Sequence, residues 1–563
     1  MKTKKNKFSK SDIPVVRWVY SVCKKQTPWL VAIVLINVFH GTMAVLFANY
    51  SKKVIDAATV SNDLNLVIKY SIALLGVIAL QTVIYVSKNA ISEYSKGKLT
   101  ILLQRHMLRK ILSKDYAGVT SYHTGELQNR MFNDASIVTD GFMTIIPNAV
   151  YFITKLVSAF IYLVIIDRFF ALVFLLGGLF VFSVTRIFRK TIKRLHKDVQ
   201  KTEGETRSFV QEALANLLVF KAFSAEDKVA EKTGELQDIN FRAKMKRRNF
   251  SLLANTGLNI TFSVGSVFAV AFGAYSILFN GTTYGTVTAM IQLVAQIQAP
   301  FASLSNVVPQ YFTLIASAER LMELDGIADE FEHSAEPVDP IKAYEGLSTI
   351  EFENITFKYD RDIILDDTSF TFNKGDFVAI MGISGIGKST LLKLLLGVYQ
   401  PQQGSIKINI DGKPRLADKN TRKLFSYVPQ GNMLISGTIR ENLMFINENA
   451  TEDEIQKAVD ISCSREFIDE LPDGLDTVIG EKGLGLSEGQ VQRLAIARSL
   501  LSPSPIILLD EATSALDEAT EKQFLSNLRE LRDASCIIVS HKLAALEICN
   551  RHIRITDGKI TED

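Results

Sequence analysis

The chain has 563 residues, of which 47% are hydrophobic and 22% charged, and its formal net charge is +3. Its length argues against a single small domain and its apolar content against disorder. The four cysteines, Cys23, Cys463, Cys536 and Cys549, form no CxxC pair, which argues against a disulfide scaffold or a cysteine zinc site and reads as reduced, cytosolic thiols.

The near-zero charge conceals a split. The last 218 positions hold 24 basic and 33 acidic residues, a net −9, which leaves +12 for the first 345. Residues 1–28 carry Lys2, Lys4, Lys5, Lys7, Lys10, Arg17, Lys24 and Lys25 against the single acid Asp12, and read as a cytoplasmic tail and elbow. A membrane span needs about 20 apolar residues. Runs of that kind predict six spans, at about 29–50, 70–86, 142–166, 169–185, 251–278 and 286–312, within a membrane domain over 29–322. Asp167-Arg168 and Asn280-Gly281 supply turns. A signal peptide is the alternative for the first run, but Trp29–Tyr50 is too long and lacks a small-residue cleavage pattern. Six spans return the chain to its starting side. The segments at 51–69, 167–168 and 279–285 are short, whereas 87–141 and 186–250 are long and charge-rich. Read as helices, each long segment reaches ~35 Å into the cytoplasm and returns.

Lys155 is the charge that falls inside a predicted span. Such a charge is costly and faces a cavity or a partner. It reads either as a contact for an anionic or zwitterionic substrate, or as a snorkelling or helix-paired lysine. Asn37, His40, Gln81, Asn259, Gln292, Gln296 and Gln298 are pathway candidates on weaker grounds, because polar side chains also join helices to one another.

After a linker at 323–345, residues 346–563 read as a nucleotide-binding domain. Met381 to Thr390 is MGISGIGKST, preceded by the apolar run Phe377–Ile380 and followed by an apolar helical run. This is G-x-x-x-x-G-K-[ST] between a strand and a helix. Gly382, Gly385 and Gly387 let the loop curl so that backbone N–H groups face phosphate oxygens. Ser384 and Thr390 belong to the same cradle. Lys388 reaches the β- and γ-phosphates of ATP, and the Ser389 hydroxyl ligates Mg²⁺. An ordinary glycine-rich turn is the alternative, and the complete set of fixed positions argues against it. Ile506–Leu509 is a buried-strand run ending in Asp510, placed to hold Mg²⁺, and Glu511, placed to polarise the attacking water.

One further motif makes the chain resemble the ATP-binding-cassette transporters. Leu486-Ser487-Glu488-Gly489-Gln490, followed by Val491 to Arg498, is similar to that family's signature sequence and lies shortly before the Asp510 strand. The resemblance extends through the domain in order. Tyr359 matches the residue that stacks on adenine. Gln430, in Tyr427-Val428-Pro429-Gln430, matches the loop that senses the γ-phosphate and ligates the metal. Gly480-Glu481-Lys482-Gly483 resembles the exporter-specific loop before the signature. Ser514-Ala515-Leu516-Asp517 matches the loop that communicates across the dimer, and His541 the switch histidine. In the membrane half, Thr124-Gly125-Glu126-Leu127 with Arg130 and Asn133-Asp134 is similar to the first cytoplasmic loop of the exporters. Glu212-Ala213-Leu214 with Lys221-Ala222-Phe223 resembles the second. The turns of these loops are expected to be the coupling helices.

The resemblance implies an exporter-type half-transporter. The expected fold is multidomain, an all-α six-helix transmembrane domain with long cytoplasmic helix extensions followed by an α/β P-loop (RecA-like) ATPase domain with a signature-bearing helical subdomain. It implies ATP and Mg²⁺ as ligands, with Glu511, His541 and Gln430 as the catalytic set. Because Ser487, Gly489 and Gln490 of one chain cap the γ-phosphate held by the other, it also implies a dimer. All the catalytic positions are intact, so a homodimer is expected rather than one half of a heterodimer. The substrate class is a small molecule, lipid or peptide, and no nucleic acid partner is expected. A lipid flippase and a siderophore-type importer on the exporter fold remain open. A channel is disfavoured by the intact Glu511, and a soluble cassette ATPase by the spans. With 28 residues ahead of the first span, no peptidase domain is expected there. Two positions depart from the family pattern. Glu488 places a carboxylate at the third signature position, harmless if it points away from the facing triphosphate. Ile386 replaces a small polar residue in a loop that works through its backbone.

Overall fold

The computed structural model describes residues 12–333, 336, 338–359, 362–383, 385–431, 434–480, 483, 485–531 and 534–562. It divides into two compact units, one formed by Met1–Leu108 with Gly125–Asp325 and the other by Arg109–Thr124 with Gly326–Asp563. All four cysteines are free thiols.

The first unit is helical. Its elements begin with α1 (Asp12–Cys23), α2 (Thr27–Thr59) and α3 (Leu64–Leu112), whose end enters the second unit with α4 (Tyr116–Thr120). The chain returns through α5 (Thr124–Asn129) and a π-helical turn (Arg130–Asp134) to α6 (Ala135–Ile166), α7 (Arg168–Ala215), α8 (Leu217–Ala222), α9 (Glu226–Asn280) and α10 (Tyr284–Asp325). The six long helices, α2, α3, α6, α7, α9 and α10, run 33, 49, 32, 48, 55 and 42 residues. At 1.5 Å per residue they are about 50–80 Å long, well beyond a ~30 Å hydrocarbon core. Among the described residues, Asp12–Thr59, Leu64–Leu112, Thr124–Ile166 and Glu226–Asn280 are long and apolar enough to cross a membrane by length and composition, and Arg168–Val181 is a shorter apolar helix. The expected spans 169–185 and 286–312 run along α7 and α10 but include side chains outside the described residues.

The predicted turns form for local reasons. Asp167 leaves helical geometry and its carboxylate accepts the Phe170 N–H at 2.8 Å, so two residues suffice to reverse the chain. Gly281, at φ +66°, ends α9 in the left-handed conformation that a side chain disfavours. Near these turns, Phe170 packs on Phe174, Phe268 and Phe272 over a core that includes Ala159, Leu163 and Leu293. Outward-facing Ile165, Leu176 and Leu278 stay exposed, as expected of helices whose solvent is lipid. Where α6 crosses α10, the π-turn buries Asp134, which accepts from Arg320 and Ser317 of α10. Arg130 donates to Glu126 and Glu323 beside it.

The second unit is a cassette of two sheets and a helical lobe. Its elements are α11 (Pro340–Glu345), β1 (Leu347–Tyr359), β2 (Asp362–Asn373), β3 (Phe377–Met381), α12 (Lys388–Leu395), β4 (Gln403–Ile410), β5 (Lys413–Leu416) and β6 (Phe425–Val428). The lobe follows with β7 (Gly437–Thr438), α13 (Ile439–Met444), α14 (Glu452–Ile461), α15 (Arg465–Asp469), β8 (Val478–Ile479) and α16 (Glu488–Leu500). Then come β9 (Ile506–Asp510), α17 (Glu518–Arg529), β10 (Ser535–Val539), α18 (Leu543–Ile548), β11 (Arg551–Thr556) and β12 (Lys559–Glu562). The larger sheet has the order β12-β11-β3-β10-β9-β6 and is parallel except for β12. Its inner strands, β9 and β10, are buried along their whole length, which is why they read as unbroken apolar runs. The smaller sheet, β2-β1-β4-β5, is antiparallel. The lobe has its own core, in which Val491 and Leu494 of α16 meet Ile439, Leu443, Val459 and Phe467.

Candidate functional site

The carboxyl ends of β3, β9 and β10 converge, as ligand-binding edges of open α/β sheets do. The loop from Gly382 to Gly387 leaves β3 there. Gly382, Gly385 and Gly387 all have positive φ (+151°, +82° and +113°). A Cβ on Gly387 would lie 2.3 Å from Ile364 Cγ2, and one on Gly382 would lie 3.0 Å from the Ile555 carbonyl. Two of the three glycines are therefore required twice over, by conformation and by space. Ser384 lies outside the described residues. Ile386 packs against the sheet core, which accounts for an apolar residue at that position.

Lys388 opens α12 and is buried. Its ammonium donates to the Gly382 and Ile383 carbonyls at 2.8 and 3.2 Å and stands 3.7 Å from Glu511 Oε1. The cation is thus held over its own loop, where a phosphate would have to arrive. Ser389 Oγ donates to Asp510 Oδ1 at 2.8 Å, and the Tyr427 hydroxyl donates to Oδ2 at 2.9 Å. Burial pushes the Asp510 carboxyl up from its ordinary value, while these two donors oppose the shift. Burial, and then Asp510 itself, push the Tyr427 phenol up, so it remains a donor. Glu511 adopts φ +52°, rare for a residue with a side chain, and its N–H is tied to the Val539 carbonyl at 3.1 Å. Its Oε2 accepts from Gln430 Nε2 at 2.7 Å. Lys388, Ser389, Asp510, Glu511 and Gln430 are therefore brought together from three separate parts of the sequence.

The donor set suits a hard divalent cation. A serine hydroxyl, a buried carboxylate and an amide carbonyl offer oxygen only, and Mg²⁺ takes few protein ligands when phosphates supply the others. No lysine or arginine is ion-paired to Asp510 among the described residues.

Tyr359 ends β1, partly exposed, with its hydroxyl 3.3 Å from Thr390 Oγ1. Tyr399 meets it edge-on, with ring centroids 5.4 Å apart, and Tyr116 of α4 meets Tyr399 at 5.6 Å in the same geometry. Burial, then Tyr359 and Tyr116, push the Tyr399 phenol up to about 12. Asp115 caps α4 by accepting the Gly118 N–H at 2.9 Å. The short helix that packs within the second unit is thus Tyr116–Thr120, in the first cytoplasmic loop just ahead of the Thr124 motif.

Ser487 is the N-cap of α16 in a reciprocal capping box with Gln490. Gly489 passes so near the Ala515 carbonyl that a Cβ would lie 2.9 Å from it. Glu488 is exposed and makes no ion pair among the described residues; Glu481 and Lys482 lie outside them. Asp517 caps α17, and the Thr520 hydroxyl and N–H hold its carboxyl below the usual range. His541 is exposed, two residues beyond β10.

Four residues in this assembly are not among the predicted site residues: Tyr427, Tyr399, Gln492 and Lys542. Gln492 donates to Ser514 Oγ at 2.9 Å and accepts the Ala515 N–H at 3.0 Å, linking the signature helix to the 514–517 loop. Lys542 donates to the Thr513 and Leu516 carbonyls at 2.8 and 2.9 Å and pairs with buried Glu521 at 3.2 Å. Tyr427 and Gln492 lie within the motif stretches 427–430 and 491–498 and Lys542 follows His541, whereas Tyr399 has no such pointer.

Comparison with known proteins follows the same division. The family profile for the ABC transporter transmembrane region matches residues 30–301, and that for the ABC transporter matches 365–514. An ATP-dependent lipid A-core flippase of Haemophilus influenzae is 29% identical over 502 residues, 86% of this chain and 83% of that protein. A probable ABC transporter ATP-binding/permease protein of the same species is 28% identical over 558 residues, 96% of this chain and 98% of that one. The solved structure of a bacterial Atm1-family ABC exporter with ATP bound shares the fold, with a TM-score of 0.80 at 24% identity over 95% of each chain.

Proposed function

The chain belongs to the ATP-binding-cassette transporters, as a half-transporter that couples ATP hydrolysis to export across a membrane, and on that premise we propose the following working arrangement. Two copies of the chain form the active unit, with two composite ATP sites. Large apolar side chains at the tip formed by α8, Leu218 and Phe223 among them, are exposed in the single chain and support a surface that a partner covers. The first unit spans the inner or plasma membrane with the cassette cytoplasmic, a reading supported by the lysine-rich start of the sequence.

The observation that carries the catalytic reading is the Gln430–Glu511–Lys388 cluster next to the Ser389–Asp510 pair. When ATP enters, Lys388 exchanges the Gly382 and Ile383 carbonyls for the β- and γ-phosphates, and loop N–H groups take the remaining oxygens. Adenine stacks on Tyr359. Ser389, Asp510 and Gln430 would hold Mg²⁺, which supplies positive charge against the phosphates. Glu511 accepts a proton from the attacking water, and Gln430 orients it through their shared hydrogen bond. His541 acts at the γ-phosphate. Ser487, Gly489 and Gln490 present the start of α16 to the partner's nucleotide, where N–H groups and the helix dipole favour an anion. Asp517 lies on the loop between signature and hydrolysis site.

The exported substrate is hydrophobic, amphipathic or peptidic. Relatives named as lipid A-core flippases support a lipid as the first class to test. The test is ATP turnover and substrate flux by the full-length protein in proteoliposomes, with Glu511→Gln as the blank. Loss of the general base lowers turnover by about 10²–10⁴. Flux that persists in that variant, or that dissipates a gradient without ATP, defeats the pump reading.

A further inference from the structure

Lys155 does not stand alone. On α6, its Nζ lies 6.0 Å from the centroid of the Tyr151 ring. From α3, Lys88 Nζ lies 5.5 Å from the same ring and 6.0 Å from that of Tyr85. From α2, His40 stacks on Tyr151 with centroids 5.0 Å apart and planes at 18°, and lies 6.4 Å from Tyr85. Three helices thus bring two lysines and a histidine around two tyrosine rings. One turn away, Asn37 donates to the Pro147 carbonyl at 3.1 Å and fixes α2 against α6 at this level.

Among the described residues the cluster has no counter-ion. The sequence contains no Asp or Glu in 29–50, 70–92, 142–166 or 251–318. The nearest acids along α3 and α6, Glu93 and Asp140, face Lys96 instead, at 4.0 and 2.7 Å. Neither Lys88 nor Lys155 makes an ion pair among the described residues, and both are half-buried. Cation–π contacts near the 6 Å limit offset little of the cost of withdrawing an ammonium from water. His40 Nδ1 is buried with no hydrogen-bond partner among the described residues. Two uncompensated cations and an open imidazole nitrogen between apolar ring faces match an anionic group attached to an apolar body.

We propose that Lys88, Lys155 and His40, framed by Tyr85 and Tyr151, bind the phosphate or carboxylate headgroup of an anionic amphiphile that the transporter carries. This rests on the transporter reading and narrows its substrate class. The lysines act as mobile point charges with three donors each, which suits a tetrahedral or planar anion approached from two helices. The rings line the site where the headgroup joins its apolar portion.

The test measures binding to the full-length protein without nucleotide. Protein is equilibrated with mixed vesicles of phosphatidylcholine and phosphatidylglycerol, then washed, and the retained lipids are quantified. Wild type should enrich phosphatidylglycerol. Each lysine lost removes a charge-assisted hydrogen bond, so Lys88→Gln/Lys155→Gln should lower the enrichment at least about tenfold. Lys88→Arg/Lys155→Arg, which keeps both charges, should restore it and shows that loss is not misfolding. Lys53→Gln, which removes an exposed lysine set over Tyr50 and Tyr70, should leave it intact. A second arm measures labelled inorganic phosphate on protein in pure phosphatidylcholine. Binding there, lost in the Gln pair, supports the anion site with a soluble source. Equal retention by wild type and the Gln pair, or no anion retained in either arm, overturns the proposal. Because no ATP is present, a protein that binds the anion but fails to couple ATP to flux refutes the pump reading and not this one.

Discussion

Replacing Lys542 with methionine tests whether the residue beside His541 holds the 514–517 loop. The ammonium makes three contacts, to the carbonyls of Thr513 and Leu516 and to the carboxylate of Glu521. Glu521 is buried, and its other oxygen accepts from Thr513 Oγ1 at 2.7 Å. Water can reach part of the vacated lysine site but little of Glu521. Removing one partner of a buried ion pair costs about 3–5 kcal/mol, chiefly from the charge left behind. At about 2–4 °C per kcal/mol for a domain of this size, Lys542→Met should lower the cassette's melting transition by about 6–20 °C. Glu521→Gln alone should cost less, since Lys542 keeps its two carbonyls. The double variant should melt above Lys542→Met, because the uncharged amide that replaces the Glu521 carboxylate needs no cation. The assay is differential scanning fluorimetry of the full-length protein, run as a double-mutant cycle with ATPase activity in parallel. Additive losses, with the double variant melting lowest, would falsify the account of Lys542 as the compensating charge.

Three other expectations follow from the same geometry. Gly387→Ala should abolish ATP binding, since it meets both φ +113° and Ile364; normal binding of a fluorescent ATP analogue would contradict it. Tyr427→Phe removes one of two donors to Asp510, and a hydrogen bond to a charged group is worth about 1.5–3 kcal/mol. Its kcat/KM for ATP should fall at least about tenfold with the fold retained, and an unchanged value would remove Tyr427 from the site. Arg320→Met strands Asp134 in the α6–α10 crossing and should destabilise the helical unit by about 3–5 kcal/mol. Adding Asp134→Asn should recover part of the loss, and thermal shifts that show no recovery would count against the pairing.

Much of the molecule can be read along the chain because its physics is local. Buried parallel strands announce themselves as apolar runs, so β3, β9 and β10 are evident ahead of the loops that follow them. The glycines of the phosphate loop are set by backbone conformation, and Ser487 with Gln490 by a capping pattern three residues long. Turns at Asp167 and Gly281 depend on one cap each. The charge split between the halves likewise needs no coordinates. The contacts of Tyr427, Gln492 and Lys542 are illegible for the opposite reason. Their partners lie from 21 to 83 positions away, and no period or spacing encodes a contact made only by the fold.

Lys155 shows where the boundary falls. Hydropathy alone marks it as a charge in an apolar segment, and cannot choose between a lone snorkelling lysine and a site. Lys88 falls just past the end of the second predicted span, and His40 is one polar residue among seven. The packing of α2, α3 and α6 puts all three around Tyr151 and leaves them without a paired carboxylate among the described residues. Composition and motif spacing determined what kind of machine this is, because solvent and phosphate impose rules on short stretches of chain. The company of an uncompensated charge is a property of three helices at once, and only the tertiary structure decides it.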